Sequence, residues 1–79
     1  MKLHLRYFAS LRDAAGTDVE EIEVDHGDAA AIFESAADRY RFSLPRSRVR
    51  LAVNGEMTEW SRPLQSGDEL AFLPPVSGG

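Results

Sequence analysis

The sequence predicts a two-layer α+β domain, with one main helix laid across one face of a mixed sheet of about five strands. Three observations predict it. Short segments alternate apolar and polar residues with the period of a half-buried strand. One segment, near 29–40, carries an apolar stripe at helical spacing. The 79 residues leave room for a single core, and a one-striped helix and a one-faced sheet bury themselves against each other.

Over residues 2–8, Leu3, Leu5 and Tyr7 point one way and His4, Arg6 and Phe8 the other. Ser10 is expected to cap a short helix over 11–15, which Gly16 ends. In 19–25, Ile22 and Val24 face inward and Glu21, Glu23 and Asp25 face water, so the acidic run over 18–23 reads as a solvated strand face. Asp28 caps the long helix, 29–40, where alanines favour helix and Ile32, Phe33, Ala36 and Tyr40 make the stripe. An arginine-rich connection around Pro45 follows. Val49, Leu51 and Val53 share one face of the next strand. Asn54-Gly55 is the strongest hairpin signal, because both central residues of a type I′ turn need positive φ, and 56–58 is the return strand. Gly67-Asp68 makes another turn. In the last strand, 69–73, Leu70 and Phe72 face one way and Ala71 and Leu73 the other. Trp60 reads as a half-buried loop aromatic.

Composition removes several classes of function. With no cysteine there is no disulfide, thiolate metal site or cysteine nucleophile. His4 and His26 lie far apart, so no metal site is expected, and Ser10, Ser35 and Ser77 lack a histidine–aspartate arrangement. Residues 13–38 hold nine acids and no lysine or arginine, and 39–50 hold five arginines and no acid. The net charge of −4 and the lack of interleaved aromatics argue against nucleic acid. Arg39 and Arg41 are expected to offset the acidic segment. A surface salt bridge is the expectation for Arg12 and for Asp68, with pairing to each other or a partner contact as the alternative. No apolar run approaches the roughly 18–20 residues of a membrane span, and the alternating N-terminus is unlike a secretory signal. A soluble, cytoplasmic chain is the expectation.

After the last strand comes Pro74-Pro75-Val76-Ser77-Gly78-Gly79. The prolines end any ladder and keep the backbone extended, and six extended residues reach about 20 Å. The expected organisation is thus a domain over 1–73 and a flexible tail over 74–79. Without β-carbons, Gly78 and Gly79 fit a narrow channel and leave the terminal carbonyl open. A carboxylate is a poor electrophile, but adenylation by ATP activates it and a sulfide donor then converts it to a thiocarboxylate. No side-chain catalyst is needed.

Three stretches carry a resemblance over the whole chain: Tyr7-Phe8-Ala9-Ser10-Leu11-Arg12 with Gly16; Val53-Asn54-Gly55-Glu56; and Leu64 followed by residues 67–79. The chain resembles the ubiquitin-like sulfur carriers of the MoaD/ThiS type, in particular the small subunits of molybdopterin synthase. That resemblance implies a β-grasp fold with the first and last strands parallel in the sheet centre. It implies that an adenylyltransferase similar to ubiquitin-activating enzymes (MoeB-like) uses ATP to adenylate Gly79, with no cofactor held permanently. A sulfurtransferase supplies sulfur, and the tail enters the large subunit, MoaE, where a cyclic pyranopterin monophosphate becomes molybdopterin in a heterotetramer. It also places Phe8, Met57 and Leu73 at the contact with the large subunit, with Pro74, Pro75, Val76 and Ser77 leading into it. Carriers for thiazole, cysteine or transfer-RNA thiolation, and modifiers that form isopeptide bonds, share this tail chemistry.

Overall fold

Alternation along the first segment carries directly into the structure, a computed structural model that describes residues 1–75. Strand β1 (Lys2–Tyr7) buries Leu3, Leu5 and Tyr7 and turns His4 outward. Helix α1 (Ala9–Ala15) follows, and here the chain departs from expectation. Phe8, not Ser10, holds the cap position, and Ser10 lies inside the helix. The cause is a backbone event: Ala9 takes a left-handed φ of 50°, which swings the chain off the sheet early. The Phe8 carbonyl then accepts from the N–H groups of Leu11 and Arg12. Gly16, at φ 75°, closes the helix in the left-handed form that suits glycine.

Strand β2 (Val19–Glu23) pairs antiparallel with β1. Asp28 caps α2 (Ala29–Tyr40), its carboxylate accepting from the Ala31 N–H at 3.2 Å, and the helix buries Ala29, Ile32, Phe33 and Ala36. A short 3-10 turn, Arg46–Arg48, leads into β3 (Arg50–Val53) and β4 (Glu56–Thr58). The hairpin between them has φ 52° at Asn54 and 82° at Gly55, the two positive values a type I′ turn requires. Strand β5 (Glu69–Leu73) comes last in sequence and central in space. The sheet order is β2-β1-β5-β3-β4, with β5 parallel to β1 and antiparallel to β3.

The core lies between α2 and one face of this sheet. Phe72 is fully buried, with the Phe33 ring 5.2 Å and the Tyr7 ring 5.9 Å from its own. Trp60, half-buried as the sequence predicts, stacks on Phe72 at 5.9 Å. Among the described residues no helix is long and apolar enough to cross a membrane, and no group of three histidine, aspartate or glutamate side chains is placed to hold a metal ion.

Candidate functional site

The residue that ends β5 sets where the tail begins. Leu73 pairs with Arg50 of β3, and Phe72, one residue earlier, pairs with Tyr7 of β1. Pro74 and Pro75 then carry no N–H to continue either ladder, and they leave the sheet half-buried and exposed respectively. Val76, Ser77, Gly78 and Gly79, singled out in the sequence, lie outside the described residues.

The position of β5 is fixed at its other end by side chains. Asn54, in the hairpin turn, accepts from the Glu69 N–H at 3.0 Å and donates to the Asp68 carboxylate at 2.9 Å. Asp68 also accepts from the Gln65 N–H at 2.8 Å. These bonds, led by the one from Gln65, hold the Asp68 carboxyl below its ordinary pKa. Asp68 is therefore engaged within its own turn and does not pair with Arg12, whose guanidinium lies 4.0 Å from Asp13.

On the sheet face away from α2, the register sets out rows of side chains. Val19, Arg6, Ala71, Ala52 and Met57 form one row across all five strands. Its two ends, Val19 at 55% and Met57 at 50%, are the large apolar side chains exposed among the described residues. The next row towards the tail holds Leu73 and Arg50, and Phe8 follows Tyr7, the β1 partner of Phe72. Phe8 and Leu73 are half-buried, and the Arg6 guanidinium lies 5.3 Å from the Phe8 ring centre. The sequence-predicted Phe8 and Leu73 thus each follow directly on a paired residue, Tyr7 and Phe72. Met57 shares their face but sits two strands and one row from Leu73, about 12 Å away.

One group was misread as solvated. Period two puts Glu20 on the inward face with Ile22, not outside with Glu21 and Glu23. There its carboxylate accepts from the Tyr7 hydroxyl at 2.7 Å, the Tyr40 hydroxyl at 2.8 Å and the Arg39 guanidinium at 2.8 Å. Parity along the strand was the signal that would have found it. Val19 is the converse case, an apolar residue that the same parity turns outward.

A central β5 parallel to β1, a meander of β3 and β4, and one helix gripped by the sheet define the ubiquitin-like β-grasp class. SAMP1 of Haloferax volcanii has this fold, with a TM-score of 0.80 at 26% identity covering 100% of both chains. Small archaeal modifier protein 1 of Methanosarcina acetivorans follows at 0.73 and 26%, covering 99% of this chain and 96% of its own. Within that class the chain belongs to the ThiS family, whose profile matches residues 5–79. The molybdopterin synthase sulfur carrier subunit of Escherichia coli (strain K12) is 37% identical over 76 residues, 92% of this chain and 94% of that one.

Proposed function

We propose that this chain is the sulfur-carrier subunit of a molybdopterin synthase and that it works through the terminal carboxyl of Gly79. The observation that carries the reading is Pro74-Pro75 leaving the central strand, with Val76-Ser77-Gly78-Gly79 next in sequence, on a sheet whose outward face holds Phe8, Leu73 and Met57. The similarity to the Escherichia coli carrier subunit supports it. The Gly79 carboxylate attacks the α-phosphate of ATP on a ubiquitin-activating-type adenylyltransferase and expels pyrophosphate. Sulfide delivered by a sulfurtransferase attacks the acyl carbon, and AMP leaves. The thiocarboxylate then passes with Gly78 into the large subunit, where its sulfur bonds to a carbon of cyclic pyranopterin monophosphate and displaces an oxygen from it. Water then cleaves the acyl–sulfur bond, which returns the Gly79 carboxylate and leaves the sulfur in the forming dithiolene. Phe8, Met57 and Leu73 dock the large subunit, and Pro74, Pro75, Val76 and Ser77 line the way in.

The domain's part is to hold β5 and present its end. No residue of the domain is assigned to bond making, since the activating enzyme and the large subunit supply the catalytic groups. A second reading, a modifier joined to lysines through the same carboxyl, is favoured by the likeness to the archaeal modifier proteins.

Deleting Gly79 tests the first reading. The variant is expected to keep the wild-type thermal transition, because the core is built from residues before the tail, and host cells carrying it as their only copy make no molybdenum cofactor. Cofactor production at the wild-type level in those cells contradicts it.

A further inference from the structure

We infer that Arg50 is a specificity-determining residue, selecting a large subunit that offers a carboxylate within the apolar surface it lays beside the tail. The inference rests on the outer sheet face being the docking surface. Most arginines of this chain are engaged internally. Arg39 meets Glu20 at 2.8 Å, Arg62 meets Glu56 at 3.0 Å and Arg46 meets Glu34 at 3.6 Å. Arg50 is exposed, and no carboxylate of the described residues lies within ion-pair distance of it.

Its place gives the free charge meaning. Arg50 is the β3 partner of Leu73, the residue before Pro74. It also shares a hollow of about 380 Å³ with Met57 and Trp60. Glu59 lines that hollow too, without forming an ion pair with Arg50. Arg50 therefore stands between two of the proposed docking residues. Any partner that covers Leu73 and Met57 covers this guanidinium as well.

Covering an unpaired cation is costly, and a carboxylate opposite it removes that cost through two parallel hydrogen bonds. Arg6, one row away on the same face, adds to the demand. Its contact with Glu69 is at 3.9 Å, and its Nε is buried without a hydrogen-bond partner. In a chain of net charge −4, the face at the tail root thus presents two cations around an apolar centre. The complementary surface is apolar and acidic.

Affinity for the large subunit from the same genome, read at low and high salt, tests this with the full chain. Arg50→Glu is expected to bind roughly tenfold or more weakly at low salt. Arg50→Leu is expected to bind more weakly and to lose part of the salt dependence, although it enlarges the apolar face. Arg41→Glu, the same charge change at the end of α2, leaves affinity unchanged. Wild-type or tighter binding by Arg50→Leu, with Phe8→Asp impaired, overturns the inference and keeps the docking face. Wild-type binding by Phe8→Asp overturns the docking face itself, and this inference falls with it.

Discussion

A carboxylate on the inward side of an edge strand loses hydration and must be met by donors. Glu20 is met by three, from Tyr7, Tyr40 and Arg39. The network joins β1, β2 and α2 through one side chain, and it sets the titration of its tyrosines. Burial first, and then donation to Glu20, pushes the Tyr7 hydroxyl well above its ordinary pKa of 10.0. Tyr40 is raised too, chiefly by its own hydrogen bond to Glu20. The folded chain thus binds these protons more tightly than the unfolded one. Their contribution to stability is whole below pH 10.0 and is lost as the pH rises past it. Melting temperature measured across that range is expected to fall for the wild type and to fall less for Tyr7→Phe, which has no proton to release there. At neutral pH the same variant loses about 1 kcal/mol, the usual worth of one hydrogen bond. An unchanged alkaline slope in Tyr7→Phe contradicts the assignment.

Between elements, the contact that places the tail is made far from it. Asn54 occupies a left-handed turn position and also ties the start of β5 to the hairpin. Asn54→Ala loses both functions and is expected to cost about 2–3 kcal/mol in denaturant unfolding, counting a strained φ and two hydrogen bonds. Asn54→Gly keeps the turn and loses only the bonds, so about half that cost is expected. Wild-type stability in Asn54→Gly would show that the tie to β5 contributes nothing. The two roles differ in how they appear in sequence. An Asn-Gly pair announces its turn locally, as do the alternation of Leu3, Leu5 and Tyr7 and the Asp28 cap. The bond from Asn54 to Asp68 joins residues brought together by β3–β5 pairing, and no local pattern records it. The start of α1 was missed for a similar reason, since the left-handed turn at Ala9 has no side-chain signature. At the site, the outward parity of Phe8 and Leu73 was legible. The free charge of Arg50 was not, because which arginines find acids is decided by the folded arrangement.

At the scale of the whole molecule, the layout separates holding from delivery. Phe72 anchors β5 among the Tyr7, Phe33 and Trp60 rings. One residue on, Leu73 turns to the outer face, and the prolines leave the sheet. The helix side is closed by a packed core, and the opposite side offers apolar groups and two cations around the strand from which the tail departs. The proposed reading follows from this layout: the chain carries a group at Gly79, and other proteins perform the chemistry. That claim meets its most direct test in the intact mass of the full chain isolated from its own host. The account predicts a species in which one oxygen is replaced by sulfur, located by fragmentation to Gly79. A chain found only with an ordinary carboxyl at Gly79, or only joined through it to lysines of other proteins, would contradict it.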